Sequence, residues 1–187
     1  MTPMLRRDAT RGVERWAHAM KDGRTCSIRR AVEADAEVLL RNINEVGAEE
    51  EFILTERLST TLKHEREWIR SFDNASSVLY VAEVGGRVVG QLDVRIPSFS
   101  KSKHVANLGI AIVAPFRALG IGRALMDRGL AWMKSHGIEK ATLEVFSTNA
   151  RAIALYRKMG FEVEGVRSRQ YKIRGAYVDD VMMAKWI

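Results

Sequence analysis

The chain has 187 residues, 47% of them hydrophobic and 28% charged, with a net charge of +7. That balance fits one globular domain able to bury a core, and it excludes a disordered chain. A single cysteine, Cys26, excludes an intramolecular disulfide and a cysteine-based zinc cluster. The basic balance favours an anionic partner (nucleic acid, a membrane surface or a phosphorylated cofactor), or else is a solubility bias alone.

Residues 1–24 read as an N-terminal extension. Val13, Trp16, Ala17 and Met20 recur at helical spacing, so a short amphipathic helix is expected there. From residue 25 a regular alternation begins and forms the main domain, 25–187. Ser27–Ala31 is a short strand. Ala36, Leu39, Leu40 and Ile43 fall at i, i+3, i+4 and i+7 of a helix ending at Gly47. Ser59 is placed to cap a second helix carrying Leu62, Trp68, Ile69 and Phe72 on its inner face. Val78–Val84 and Arg87–Ile96 flank Gly85-Gly86, a two-residue hairpin signal. Val105–Val113 is apolar on both faces and so reads as a central strand.

A helix with Met126, Leu130 and Met133 on one stripe follows, stopped by Gly137. Lys140–Phe146 is the next strand, and Asn149–Met159 is a helix closed by Gly160. Phe161–Val166 and Tyr177–Trp186 finish the chain as strands, with a turn at Arg174-Gly175. The order β-α-α-β-β-β-α-β-α-β-β is that of a mixed α/β layer structure. Val105 to Phe116, the longest nearly apolar stretch, is too short to span a bilayer, and the N-terminus has no apolar signal core. A cytoplasmic, soluble protein without membrane attachment is therefore expected. His18, His64, His104 and His136 lack metal-ligand spacing, so no metal site is expected.

Two strand-to-helix junctions carry candidate chemistry. In the first, Val113 to Ala124, a strand runs through Gly120 and Gly122 into a helix, with Arg117 and Arg123 alongside. Bare N–H groups at a helix N-terminus suit a phosphate. In the second, Asn149 is a natural N-cap, and Ala152, Leu155 and Tyr156 share one helical face. Tyr156 has two readings, a core tyrosine and a hydroxyl reaching a polar site.

Together, Arg117-x-x-Gly120-x-Gly122-x-Ala124 and Asn149-x-x-Ala152-x-x-Leu155-Tyr156-x-x-x-Gly160-Phe161 resemble the GCN5-related N-acetyltransferase (GNAT) superfamily, over about Ser27 to Ile187. The resemblance implies a mostly antiparallel sheet flanked by helices, whose two central parallel strands splay apart. It implies acetyl-CoA as donor and a primary amine as acceptor, a small metabolite or a protein N-terminus, acetylated by direct attack. The pyrophosphate would lie on the turn formed by Arg117, Leu119, Gly120, Ile121, Gly122, Arg123 and Ala124. The pantetheine arm would pair with the strand ending at Ile112-Val113, with a backbone N–H near Ile112 stabilising the oxyanion. Asn149 would contact that arm, Ala152 would be a further cofactor-binding residue, and Tyr156 would protonate the leaving thiolate.

Many relatives carry a glutamate where Asn107 stands, and an amide takes up no proton usefully. His104, at the start of the same strand, is the candidate base, with Asp93 and Glu144 as further candidates. For the acceptor, the segment Glu49 to Glu56 offers Glu51, Phe52 and Glu56, read either as a cation-attracting surface or as a solvated helix end. Arg167, Arg169, Lys172 and Arg174 crowd the last hairpin. Nucleic acid is not the expected partner, although a catalytically weak domain binding RNA or the ribosome through its basic surface is the alternative. By analogy, the final strand Tyr177–Trp186 is a candidate contributor to a homodimer.

Overall fold

A computed structural model describes residues 5–7 and 14–187. In chain order the elements are β1 (Leu5–Arg7), β2 (Glu14–Ala19), β3 (Thr25–Arg30), α1 (Ala36–Gly47), α2 (Leu62–Arg70), β4 (Ser77–Val84) and β5 (Arg87–Arg95). They continue with β6 (Val105–Ile112), α3 (Ile121–Ser135), β7 (Lys140–Phe146), α4 (Ala150–Lys158), β8 (Glu162–Ile173) and β9 (Ala176–Trp186). The described strands form one sheet in the order β1-β2-β3-β4-β5-β6-β7-β9-β8.

The central strands are apolar because both faces are covered. On one face Tyr80, Leu92, Val94 and Leu108 pack with Leu125, Met126 and Met133 of α3. On the other, Leu79, Val81 and Val88 pack with Leu39 of α1 and Ile69 of α2. The β4–β5 hairpin turns on Gly85 and Gly86, both at positive φ (57° and 81°), as a two-residue turn between right-twisted strands requires.

Among the described strands only β6 and β7 are parallel, and their pairing is short. It covers Val105–Asn107 against Lys140–Thr142 and then stops. Beyond it β6 stays paired with β5 as far as Ile112, and β7 with β9 as far as Phe146. The two strands therefore diverge, as the resemblance implies, and leave a cleft in mid-sheet.

The helix expected near residues 13–20 is corrected. Glu14–Ala19 is strand β2, paired with β3 from Arg15↔Arg29 to Ala19↔Thr25. The edge of β3 offers backbone partners, and alternation then splits the side chains between faces: Trp16 meets Tyr80 edge-on at 5.9 Å, while Arg15 donates to Glu83 at 3.0 Å. Tertiary pairing outweighs helical periodicity here. The rest of that expectation, at residues 1–4 and 8–13, lies outside the described residues. Three smaller differences follow. Thr61, not Ser59, caps α2, its hydroxyl accepting from the His64 N–H at 3.2 Å. The strand expected to end at Val166 continues to Ile173. The final strand β9 lies between β7 and β8, so β8 is the sheet edge on that side. Among the described residues no helix is long and apolar enough to cross a membrane.

Candidate active site

The cleft between β6 and β7 opens into a cavity of about 730 Å³. Its walls are the diverging stretches Leu108–Ile112 and Glu144–Phe146, and α4 contributes Asn149, Ala152, Leu155 and Tyr156. The glycine turn contributes Arg117, Gly120, Gly122 and Arg123.

The turn is built locally. Pro115 tightens a 3-10 turn after β6, and Gly120 then takes a left-handed conformation (φ 96°) as the N-cap of α3. The first N–H groups of α3 have no partner within the helix and meet the positive end of its dipole. Gly122 serves packing as well: a Cβ there would stand 3.3 Å from Leu155 Cδ2, so its absence lets α3 approach α4. Val113, Ile121 and Ala124 are core residues whose side chains support the turn from beneath. Leu119 also packs on the core, and its carbonyl accepts from the Lys21 N–H at 3.1 Å. That bond carries Lys21 to the cavity wall, a placement that depends on β2 and has no local signal in sequence.

Arg117 is on the cavity wall, with its guanidinium already engaged within the protein. Its guanidinium donates twice to the Glu49 carboxylate, once at 2.6 Å, while Nε donates to the Ile112 carbonyl at 2.7 Å. It also lies over the Phe52 ring at 4.4 Å. Its charge is thus neutralised within the protein, and the side chain braces the segment after α1 against the end of β6. Arg123 is exposed, 3.6 Å from Asp127. Lys21, Arg123, Arg151 and Lys158 supply the remaining cations of the cavity wall, and Glu144 and Asp180 its carboxylates.

Asn149 caps α4, its Oδ1 accepting from the Ala152 N–H at 3.1 Å. Tyr156 is buried, and burial pushes its hydroxyl up to about 12. Among the described residues that hydroxyl has no hydrogen-bond partner, and its ring packs against Phe161. Across the cavity Glu144 is exposed and ion-paired with Arg167 at 2.7 Å. Arg167 also holds the buried Asp180, to which the Tyr171 hydroxyl donates at 3.4 Å. Asp180 is a functional candidate the sequence reading missed. Its signal is a carboxylate two residues from Val178, at an inward position of an apolar strand.

Several expected site residues are not brought together. His104 is exposed at the opposite end of β6 and is not on the cavity wall; its carbonyl accepts from the Glu139 and Lys140 N–H groups. Eight residues of extended strand, roughly 26 Å, separate it from Ile112. Asn107 is also exposed outside the cavity, its amide 3.4 Å from Thr142 Oγ1. Of the acceptor candidates Phe52 lines the cavity, whereas Glu51 and Glu56 point to solvent. The opposite charges of the two regions find each other instead: Glu50 pairs with Arg174 at 3.0 Å, and Arg174 also donates to the Glu49 carbonyl.

The sequence pattern of the Acetyltransferase (GNAT) family matches residues 43–161, which contain β6, the glycine turn, β7 and α4. The chain belongs to the GNAT family. It is 36% identical over 110 residues to the L-amino acid N-acetyltransferase AaaT of Escherichia coli, an alignment covering 56% of this chain and 65% of AaaT. The chain thus spans just under two thirds of that curated relative. Among solved structures, the acetyltransferase of GNAT family from Streptococcus pneumoniae superposes with a TM-score of 0.82 at 25% identity, over 87% of this chain and 99% of that one. The fold is shared by yncA from Salmonella typhimurium, solved with its cofactor acetyl-CoA (TM-score 0.79, 20% identity, 86% and 93% coverage). The GNAT pattern spans the cleft, the turn and Tyr156.

Proposed function

We propose that the protein transfers an acetyl group from acetyl-CoA to a primary amine, on a small metabolite or a peptide N-terminus. The observation that supports this most is the cleft itself: two parallel strands that part, with a phosphate-suited glycine turn at one end and Tyr156 in the wall. Bound acetyl-CoA would supply an activated thioester. The open stretch Leu108–Ile112 offers main-chain groups to an amide-bearing arm and an N–H to the thioester oxygen. Gly120, Gly122 and the first N–H groups of α3 would receive the pyrophosphate, with Lys21 and Arg123 adding charge. Arg117, engaged by Glu49 and the Ile112 carbonyl, braces the turn.

The amine must attack neutral, yet an alkylammonium has a pKa of about 10.4. In this reading Glu144, an exposed carboxylate of the cavity wall, collects that proton directly or through water. One of its oxygens engages Arg167, and the other has no protein partner among the described residues. Tyr156, held protonated by burial, donates to the sulfur as the C–S bond breaks. No covalent enzyme intermediate is needed, which suits a chain whose one cysteine, Cys26, is buried with its thiol pushed up to about 11. A reducing cytoplasmic setting fits that unpaired thiol. Residues 25–187 form the transferase domain in this reading, with the preceding strands as an addition to it.

Calorimetric titration with acetyl-CoA, alongside thiol release across polyamines, amino acids, aminoglycosides and peptides with free N-termini, tests the proposal. Micromolar binding and turnover with one class are expected. Gly120→Glu, which puts bulk and negative charge on the turn, should abolish binding; unchanged affinity would mean the turn is not the phosphate site.

A further inference from the structure

A second cavity, of about 200 Å³, lies between α1 and strands β5 and β6. Its wall includes Ile43, Ile53, Thr55, Gln91 and Asp93, with the β6 backbone from Gly109 to Ala111. Ile53 and Gly109–Ala111 also line the main cavity, so the two spaces adjoin across one short stretch of strand.

The polar groups here are unusual. Gln91 is only 8% exposed, and its Oε1 is buried without a hydrogen-bond partner. Asp93 makes neither a hydrogen bond nor an ion pair with another residue among those described. The guanidinium of Arg95 instead lies over Phe72, at 4.1 Å. Asp93 is seated where it is because residue 109 is glycine: a Cβ there would stand 2.9 Å from Asp93 Oδ1. An unpartnered buried oxygen and a sheltered carboxylate are each costly, and among the described residues no lysine, arginine or histidine lines the cavity to offset them.

We propose that this cavity receives a second, cationic head of the acceptor, an alkylammonium whose N–H groups donate to Asp93 and Gln91 while the reacting amine lies beyond Gly109–Ala111 in the main cavity. The inference rests on the transferase reading above. At about 30 Å³ per water-sized group, the space suits a small head on a short stem. Ile43 and Ile53 would pack that stem. Burial lifts the Asp93 carboxyl above its ordinary range against the weaker pull of Arg95, so a cation placed beside it would gain an under-compensated partner. An acceptor whose second group is anionic is disfavoured by the same two oxygens.

The test compares 1,4-diaminobutane with 4-amino-1-butanol, which share the reacting amine and the length but end in an ammonium or a hydroxyl. With the full chain, the diamine should be the better acceptor. Asp93→Asn should raise its KM about thirtyfold, the size expected for losing a charge-assisted hydrogen bond, and move the amino alcohol less than twofold. Equal effects on both acceptors, no effect, or no preference in the wild type would overturn the proposal. Calorimetric binding of the diamine to the CoA-loaded protein gives a readout independent of turnover: wild-type binding lost in Asp93→Asn supports the subsite, and no wild-type binding overturns it. Titration with acetyl-CoA alone judges the transferase reading separately; in Asp93→Asn that affinity should be unchanged and the melting temperature should not fall, since a costly sheltered carboxylate is removed.

Discussion

Two residues across the cleft divide the proton work in the proposed reaction. Tyr156 is desolvated and stays protonated at neutral pH, the state that an acid requires. Tyr156→Phe should lower kcat by about 100-fold while acetyl-CoA affinity stays within twofold, since the ring remains in place. A full rate in steady-state assays would leave Tyr156 as packing against Phe161. Glu144 is exposed and paired with Arg167 through one oxygen, which leaves the other accessible. Glu144→Gln should lower kcat/KM by about 100-fold at neutral pH and steepen its rise toward alkaline pH, where the amine is neutral without help. A parallel pH profile in the variant would remove Glu144 from the proton route.

At the scale of elements, the loop from α2 into β4 shows how a short connection is fixed. Asp73 accepts from the Ala75 and Ser76 N–H groups at 2.9 and 2.8 Å and from the Ser76 hydroxyl at 2.9 Å, which pulls its carboxyl down to about 2. A depressed folded-state pKa means stabilisation present in full above the ordinary value near 3.8 and lost as pH falls from there to about 2. Urea melts from pH 5 to pH 2 should therefore show a smaller acid-induced loss in Asp73→Asn than in the wild type. Helices α1, α3 and α4 and the central strands were legible in the sequence because their periodicity and glycine stops agree with their burial. Strand β2 was not legible, since Trp16 and Met20 fit both a helical stripe and an alternating strand, and the partner that decides between them is β3. In the site, the turn and α4 carry local signals. Lys21, Asp180 and the Glu49–Arg117 pair come together only through pairing between distant segments.

For the whole molecule, the segment after α1 is tied at two points, by Glu49 to Arg117 at the turn and by Glu50 to Arg174 at the β8–β9 turn. The N-terminal strands are tied to the glycine turn separately, through the Lys21 N–H to the Leu119 carbonyl. Deleting residues 1–24 should weaken acetyl-CoA binding about tenfold, by loss of Lys21 and its support of the turn. It should also promote association by exposing β3 as a new edge. Calorimetry and light scattering read the two effects, and unchanged values would make the extension independent of the site. The pairing of β6 with β7, which ends at Asn107 and Thr142, has a consequence for how such a protein can change over time. If the donor is held by main-chain groups along the open stretch, side chains there can drift without loss of the donor, and proline is the replacement that silences an N–H directly. Choice of acceptor, which in the proposal above rests on side chains such as Asp93 and Gln91, is then free to be rewritten one substitution at a time around an unchanging source of acetyl groups.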